Sequence, residues 1–390
     1  MYIEIENTNI LSFYNKKVIL FGAGSCGMRA LEEFEKSGVE IVAFCDNNRS
    51  LVGNKLMGYT IIAPEEISIY SDVSIIITST YDEEIKKQLD DMGIKSYIAK
   101  VGVLKSTIPL EEFKNNQLSA EKANEFIYEG LIKETPFFVG RLGSVELECL
   151  CHYLYFLNRR EEEYPSNVKM IMNINAGFFP KEDGLLDCFN ELYIKDIKEM
   201  DLIWTMWLSK FENKIYQDIV PNLWLSAYDD TYLPINCSKP WTWALKGKKV
   251  LVIHPFTDSI ERNYKNIEKI YPSGLMPQFE LLTLQAVQSI AGTKTEFETW
   301  FEALEYMENR IDEIEFDIAL VGAGAYGLPL AAYVKSIGKK AIHIGGALQL
   351  YFGIKGKAWN KLGIYNTYWT SPLESEKPSG FHKVEAGRYW

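Results

Sequence analysis

Hydrophobic residues along the first hundred positions occur in short runs separated by amphipathic stretches. Apolar runs of strand length lie in KKVILFGAG (16–24) and DVSIIITST (72–80). The stretches MRALEEFEKSG (28–38) and YDEEIKKQLDDMG (81–93) repeat apolar residues at helical spacing, and each ends in a glycine typical of a helix C-cap. Strands that alternate with helices predict a parallel sheet, so we expect residues 1–103 to form an α/β domain.

The rest of the chain repeats this alternation. Residues 104–118 are polar and contain one proline, which indicates a linker. The segment 119–390 is long enough to form a second α/β domain. Its predicted elements are a helix at 120–134, a strand at 136–143, a helix at 144–157 with Ser144 as N-cap, a strand at 246–256, a helix at 276–292 and a strand–helix–strand unit at 316–346.

Composition and charge narrow the classes of function. The chain of 390 residues has a net charge of -12, whereas nucleic-acid binding needs a basic surface, so we expect no nucleic-acid partner. The apolar runs are shorter than the ~20 residues of a membrane span, and the acidic first residues lack the apolar core of a signal peptide. Six scattered cysteines indicate no disulfide framework, so the sequence predicts a cytoplasmic protein without a membrane span. Whether it forms a homo-oligomer is left open.

The first glycine-rich turn has the spacing of a dinucleotide-binding site. Gly22, Gly24 and Gly27 follow an apolar strand, and Asp46 ends the next one. Glycines at this spacing permit a tight turn and bring a pyrophosphate close to a helix N-terminus, while an acid at the position of Asp46 binds the ribose of NAD(P). The residues therefore predict either an NAD(P) site or a nucleotide-binding fold that has lost its cofactor.

The second glycine-rich turn differs from the first at one key position. It comprises Gly322, Gly324 and Gly327, but His343 stands where the ribose-binding acid would be. A histidine cannot accept two hydrogen bonds from a ribose diol as a carboxylate does. The glycines and lysines that follow suit a phosphate-bearing ligand held by backbone N–H groups and point charges. The residues that we expect to bind such a ligand, in addition to the turn itself, are Gly345, Gly346, Lys355 and Lys357.

Three stretches of the second domain resemble the GT-D glycosyltransferases, bacterial sugar transferases of the DUF1792 type. FFVGRLGSVELECL (137–150) is similar to that family's strand–turn–helix motif, in which an Asp and a Glu form a DxE metal and nucleotide-sugar site. The late unit 316–346 and, to a lesser degree, the strand KKVLVIHPF (248–256) are similar to further parts of the family's domain. The resemblance covers most of residues 119–360 and implies a GT-D fold and glycosyltransferase activity.

The resemblance implies roles for individual residues. Arg141 and Gly143 match the family's arginine and glycine, Glu146 matches its glutamate, and Ser144 stands where the family has its aspartate. One carboxylate and one hydroxyl are poor ligands for Mg²⁺ or Mn²⁺. Either Glu146 shares such an ion with the phosphates of the substrate, or the enzyme works without metal.

Two further residues are candidates for catalysis. His254 follows the apolar run VLVI (250–253), at the sheet edge where open α/β sheets bind ligands, and could donate a hydrogen bond to phosphate. Asp258 or Glu146 could take the proton of an acceptor hydroxyl. Glycosyl transfer also needs positive charge at the departing diphosphate, which Arg141 and the two lysines would supply.

The N-terminal 103 residues resemble a different group of domains. The stretches GAGSCG (22–27), FCDNN (44–48) and GYTIIAPEEI (58–67) are similar to Rossmann-like domains fused to sugar-modifying enzymes, such as sialic-acid-type acetyltransferases. This resemblance implies a pocket for a nucleotide-sugar or a related substrate.

These observations together predict an α/β protein of two Rossmann-like domains with parallel sheets, the C-terminal one GT-D-like. We expect a cytoplasmic glycosyltransferase that moves a sugar from a nucleoside-diphosphate donor to a glycan acceptor in bacterial surface polysaccharide or glycoprotein biosynthesis. The alternatives are an NAD(P)-dependent sugar-modifying oxidoreductase and a non-catalytic nucleotide-sugar-binding protein.

Overall fold

The chain divides into two compact units. The computed structural model describes residues 17–390 apart from 25–26, 28–29, 32–33, 35–38, 80, 96, 100–112, 157–162, 165 and 207–209. One unit covers Met1–Pro109 with Leu208–Lys210, and the other covers Leu110–Trp207 with Phe211–Trp390. Each contains one sheet of mainly parallel strands, which confirms the prediction of an α/β fold with two Rossmann-like units.

The N-terminal unit is built on a six-stranded sheet. Its described elements are β1 (Lys17–Phe21), β2 (Glu40–Cys45), β3 (Lys55–Leu56), β4 (Tyr59–Ile62), β5 (Val73–Ile77), α1 (Asp82–Asp91) and β6 (Tyr97–Ala99). The strand order is β3-β4-β2-β1-β5-β6, and the described neighbours are parallel except β3 and β4 at one edge. Apolar clusters cover both faces of the sheet, as in other parallel sheets. Most of the helix expected at 28–38 lies outside the described residues.

The C-terminal unit contains a seven-stranded sheet in which all neighbouring strands are parallel. Its described helices and strands, in chain order, are α2 (Ala120–Ile132), β7 (Phe137–Arg141), α3 (Ser144–Cys151), α4 (Ser166–Ile174), α5 (Asp183–Ile197), β8 (Leu202–Thr205), α6 (Lys210–Ile219), β9 (Trp224–Ala227), α7 (Tyr228–Thr231), β10 (Lys249–His254), α8 (Thr257–Tyr264), α9 (Ile267–Ile270), β11 (Glu280–Gln285), α10 (Trp300–Asp312), β12 (Ile318–Val321), α11 (Gly327–Ser336), β13 (Lys340–His343) and α12 (Leu348–Tyr351).

The core of this unit follows from helical spacing and buried strands. Helix α2 places Ala123, Ile127 and Leu131 four residues apart on one buried face, which packs into the same cluster as Trp204 and Trp241. Strand β10 is buried over nearly its whole length because helices cover both faces of a parallel sheet. None of the described helices is long and apolar enough to cross a membrane.

The strand order of the C-terminal sheet creates a crevice at one edge. The order is β11-β10-β12-β13-β7-β8-β9. The neighbouring strands β10 and β12 lead away in opposite directions, β10 to β11 and β12 to β13. In open α/β sheets, ligands bind outside the carboxyl ends of the strands at such a switch. The carboxyl ends of β10, β12, β13 and β7 lie side by side there.

One predicted element of this unit is wrong. The segment 276–292 was expected to be a helix, with Pro277 near its first turn and Gly292 beyond its end. Residues Glu280–Gln285 instead form strand β11, which pairs with β10 from Lys249 to His254. Backbone hydrogen bonding to β10 outweighs the local preference.

Candidate functional site

A cavity of about 230 Å³ lies at the carboxyl ends of β7, β10, β12 and β13. The strand ends supply Arg141, His254 and His343, and the loops after them supply glycines and the first turn of α3. The cavity therefore occupies the crevice that the switch in strand order creates. Nine of the predicted site residues line it, namely Arg141, Gly143, Ser144, Glu146, His254, Gly322, Gly324, His343 and Gly346.

The half-buried guanidinium group of Arg141 lies over the turn that follows β13. Its Nε donates to the carbonyl oxygen of Ile344 at 3.4 Å, and its Nη1 donates to that of Leu142 at 3.4 Å. The guanidinium carbon lies 5.7 Å from the centre of the Tyr228 ring. Within the described part of the chain, Arg141 forms no salt bridge with a carboxylate. A cation with this environment is suited to bind an anion in the cavity.

Two predicted glycines support side chains instead of lining the cavity. Gly345 has a φ of 72°, and a Cβ at this position would overlap the guanidinium group of Arg141. Gly327 begins α11, and a Cβ there would overlap the ring of His343. We expected both glycines to contact the donor, but each instead leaves room for a side chain that lines the cavity.

Glu146 is a buried carboxylate in the first turn of α3, with 8% of its surface exposed. Its side chain folds back over Gly143, where a Cβ would overlap it. Burial raises the pKa of Glu146, a hydrogen bond from its own backbone N–H and the charge of Arg141 lower this pKa, and Glu385 raises it further. Glu146 and Arg141, both described, form no salt bridge with each other. Their proximity is therefore not explained by a structural ion pair.

Ser144 lines the cavity but does not cap α3. Helix α3 begins at Ser144 itself. Its N-cap residue is Gly143, so no side chain caps the helix. The expected capping role of Ser144 is therefore wrong, because the extended backbone that precedes the helix ends one residue earlier, at Gly143 (φ -72°, ψ 156°).

The carboxylates of the cavity do not by themselves form a metal site. They are Glu146 and Glu385, and Glu385 accepts a hydrogen bond from Arg388 at 2.8 Å. Among the described residues, no three His, Cys, Asp or Glu side chains are grouped closely enough to hold a metal ion. A site for Mg²⁺ or Mn²⁺ at Glu146 stays a prediction that needs ligand atoms from a substrate.

The imidazole rings of His254 and His343 are both buried at the base of the cavity. The exposed fractions are 2% for His254 and 4% for His343. Burial lowers the pKa of His254 to about 3, and burial together with the charge of Arg141 lowers that of His343 to about 3. Both rings are therefore neutral at physiological pH, and His254 cannot supply positive charge to a phosphate.

Besides Gly327 and Gly345, three more predicted site residues do not line the cavity. Asp258 lies exposed in the first turn of α8, which corrects its expected role as the catalytic base. The ammonium group of Lys355 lies 5.8 Å from the centre of the Tyr365 ring, and Lys357 is exposed. Neither lysine lines the cavity, whose cationic side chains among the described residues are Arg141 and Arg388.

A group of cavity residues, most of them near the C-terminal end of the chain, was not predicted from the sequence. Gln349 of α12 holds this segment, because its Nε2 donates to the carbonyl oxygens of Tyr389 at 3.0 Å and Lys355 at 2.9 Å. The signal that could have identified the group is its high content of Trp and Tyr. The missed lining residues include Tyr228, Trp359, Glu385, Arg388, Tyr389 and Trp390.

The glycine turn of the N-terminal unit is closed by its own aspartate. One carboxylate oxygen of Asp46 accepts a hydrogen bond from the N–H of Ala23 at 2.8 Å, and the other accepts one from Asn48 at 2.8 Å. A Cβ on Gly27 would overlap the carbonyl oxygen of Gly22, whereas a Cβ on Gly24 would meet no atom of the described residues within 4 Å. Asp46 therefore stabilises the turn, and none of the described residues fills the space beside Gly24. An NAD(P) site here stays a prediction.

Comparison with known proteins bears on the N-terminal unit. A family model described as C2185-like, N-terminal, matches residues 14–99, which include strands β1 to β6. No curated protein matches the chain.

Proposed function

We propose that the C-terminal unit is a glycosyltransferase that binds a nucleoside-diphosphate sugar in the cavity and transfers the sugar to a hydroxyl group of a glycan acceptor. Arg141 carries this proposal, because its half-buried guanidinium group faces the cavity without a carboxylate partner in the described part of the chain. A guanidinium group partly removed from water is stabilised by an anion, and its geometry matches phosphate oxygens. The resemblance to GT-D glycosyltransferases supports the same assignment.

The position and the lining of the cavity support a nucleotide ligand. The cavity lies at the switch between β10 and β12, where open α/β sheets bind nucleotides. Arg388, with 45% of its side chain exposed, adds a second guanidinium group. Trp359 and Tyr389 offer aromatic surface on which a base or a sugar ring packs.

Glu146 is the residue that we assign to proton transfer. During transfer, the bond between the anomeric carbon and the phosphate oxygen breaks, and the diphosphate leaves with the bonding electrons. A new bond forms between the anomeric carbon and the acceptor oxygen, whose proton passes to the carboxylate of Glu146. Burial raises the pKa of Glu146, which makes it a stronger base than an exposed glutamate. Arg141 would stabilise the charge that develops on the diphosphate.

Calorimetry with UDP-, GDP-, CDP- and dTDP-sugars tests the binding step. We expect at least one nucleotide class to bind with a dissociation constant below about 1 mM. Arg141→Gln should weaken this binding at least about tenfold, because a charge-assisted hydrogen bond is lost. Arg310→Gln is the matched control, since Arg310 lies on α10 and pairs with Glu313 away from the cavity. The control should bind as the wild type does.

Release of nucleoside diphosphate in the presence of glycan acceptors tests the chemical step. Tight binding of a nucleotide-sugar without turnover would favour the non-catalytic binding protein. Binding of NAD(P) that is lost in Arg141→Gln and retained in Arg310→Gln would favour the oxidoreductase and contradict the proposal.

A further inference from the structure

The two histidines of the cavity are held in opposite tautomers. Nδ1 of His254 accepts a hydrogen bond from the backbone N–H of Phe256 at 3.0 Å, so the proton of the neutral ring is on Nε2. Nδ1 of His343 lies 3.3 Å from the carbonyl oxygen of Val321, which can only accept. The proton of His343 is therefore on Nδ1, and its Nε2 carries the lone pair.

The surrounding backbone fixes both rings. A Cβ added to Gly322 would lie 2.8 Å from Cδ2 of His254, and one added to Gly327 would overlap the His343 ring. Protonation of Nδ1 in His254 would also destroy the hydrogen bond with Phe256. The low pKa of each ring agrees with this arrangement, so the tautomers persist from about pH 5 upward.

The Nε2 atoms of His254 and His343 are the free hydrogen-bonding groups of these rings. Within the part of the chain that the structure describes, neither atom makes a hydrogen bond. Both rings line the cavity and both are more than nine-tenths buried. A ligand in the cavity that supplies a partner to each of these nitrogens completes the hydrogen bonding of both rings.

We propose that the cavity selects a ligand that presents an oxygen acceptor to the Nε2–H of His254 and a hydroxyl donor to Nε2 of His343. Deprotonated phosphates offer acceptors alone, so they satisfy His254 and Arg141 but leave His343 without a partner. A hydroxyl group both donates and accepts, and it completes the site. The ligand class is therefore a polyhydroxylated phosphate ester. That this ester is a nucleoside-diphosphate sugar rests on the proposed function.

The hydroxyl group has two sources, the transferred sugar and the ribose of the nucleotide. UDP, GDP, CDP and dTDP, each compared with its glucose conjugate in calorimetry, distinguish them. His343→Asn keeps an amide donor near Val321 but removes the Nε2 acceptor, whereas His343→Gln places an amide oxygen near the former Nε2. We expect about tenfold weaker binding in His343→Asn and partial recovery in His343→Gln. A loss of affinity confined to the glucose conjugate identifies the transferred sugar as the source of the hydroxyl group. An equal loss of affinity for both ligands identifies the ribose.

Asparagine and glutamine substitutions of His254 test the hydrogen bond that its Nε2–H donates to the ligand. His254→Asn keeps an acceptor near the N–H of Phe256 and removes the Nε2–H, while His254→Gln restores a donor near that position. His254→Asn should weaken the nucleoside diphosphate and its conjugate alike, by about tenfold. Wild-type affinity in both His254→Asn and His343→Asn, with their thermal unfolding midpoints unchanged, would overturn the proposal.

Nitrogen NMR of the full chain with ¹⁵N-labelled histidine tests the tautomers without any ligand. Between pH 6 and pH 8 we expect one neutral ring protonated at Nε2, absent in His254→Asn, and one protonated at Nδ1, absent in His343→Asn. Identical tautomers at His254 and His343, or a charged ring at either of these two positions at pH 6, would overturn the inference. If the tautomers are as stated but no nucleotide or conjugate binds the wild type, the proposed function fails. Sugar phosphates without a nucleoside must then bind the wild type, and their affinity must fall in His343→Asn.

Discussion

Arg141 at the end of β7 packs directly against the backbone of Gly345, in the turn that follows β13. The two residues come from neighbouring strands that lie far apart in the chain. Any side chain at position 345 would occupy the place of the guanidinium group. The position of the charge that we assign to diphosphate binding is therefore set by a residue that does not itself line the cavity.

Gly345→Ala should displace Arg141 and weaken binding of a nucleoside diphosphate about tenfold or more. Gly338→Ala is the matched control, because Gly338 has a φ of 83° and a Cβ there would meet nothing within 4 Å. Both substitutions place alanine in a left-handed conformation, which costs about 1 kcal/mol of stability. Calorimetry should separate them, and equal affinities in the two variants would show that Gly345 does not position Arg141.

Glu146→Gln should lower turnover at least about a hundredfold, because glutamine cannot accept the proton of the acceptor hydroxyl. Affinity for the nucleotide-sugar should change little, and the free energy of unfolding should stay within about 1 kcal/mol of the wild type, since glutamine has nearly the same size and shape as glutamate. Glu302→Gln is the control, because Glu302 lies exposed in the first turn of α10. Steady-state kinetics that show full activity in Glu146→Gln would remove this residue from the mechanism.

Asp196→Asn should stabilise the protein at neutral and alkaline pH. Asp196 on α5 is 5% exposed and its Oδ2 has no hydrogen-bond partner in the described structure. Burial raises its pKa from 3.8 to about 7, with Lys195 opposing the shift and with Glu308 and Glu199 adding to it. Between these two values the unfolded state has lost the proton that the folded state keeps, so this group makes folding less favourable as the pH rises from about 4 to 7.

Urea unfolding at pH 4 and pH 8 checks the effect of Asp196. All nine tryptophans lie beyond residue 200, so their fluorescence reports on the C-terminal unit. We expect Asp196→Asn to gain about 2–4 kcal/mol at pH 8 and little at pH 4. Asp258→Asn, which changes an exposed aspartate, should stay within about 0.5 kcal/mol at both values. A gain of the same size at pH 4 would contradict a titration of Asp196.

Gly24→Val and Gly27→Val should affect the N-terminal unit differently. A Cβ on Gly27 would overlap the carbonyl oxygen of Gly22, whereas a Cβ on Gly24 would meet none of the residues that the structure describes. Gly27→Val should therefore unfold this unit or lower its thermal midpoint by many degrees, and Gly24→Val should leave the midpoint nearly unchanged.

Hydrogen exchange of peptides from residues 17–99 measures these midpoint changes, since this unit contains no tryptophan. If the turn holds a nucleotide, Gly24→Val should abolish its binding, because the new side chain would fill the space of the pyrophosphate. Nucleotide binding that survives in Gly24→Val would show that the turn has an architectural role alone.

The parts of the site that were predictable from sequence are those at strand ends. His254, Gly322 and His343 each follow an apolar run, and parallel strands bring their carboxyl ends to one edge of the sheet. The same reasoning failed for Lys355 and Lys357, because closeness in the chain to a site does not fix where a loop directs its side chains. Lys355 instead contacts the ring of Tyr365.

The parts that were not predictable depend on long-range contacts. Glu385 and Arg388 reach the cavity because Gln349 binds the backbone of the segment that contains them. No periodicity in the sequence reports such a contact. Strand β11 was missed for a related reason, since its pairing with β10 is supplied by the fold and not by its own residues.

The strand order also determines when the C-terminal sheet can be completed during synthesis. The strands β7, β8 and β9 leave the ribosome first and β10 and β11 next, yet these two groups are not neighbours in the sheet. They are joined through β12 and β13, which are made last and insert between β10 and β7. Until then, the growing chain carries two open strand edges with apolar faces, a state prone to pairing with other chains. The insertion of β12 and β13 therefore covers the edges of β10 and β7 that are open until that point.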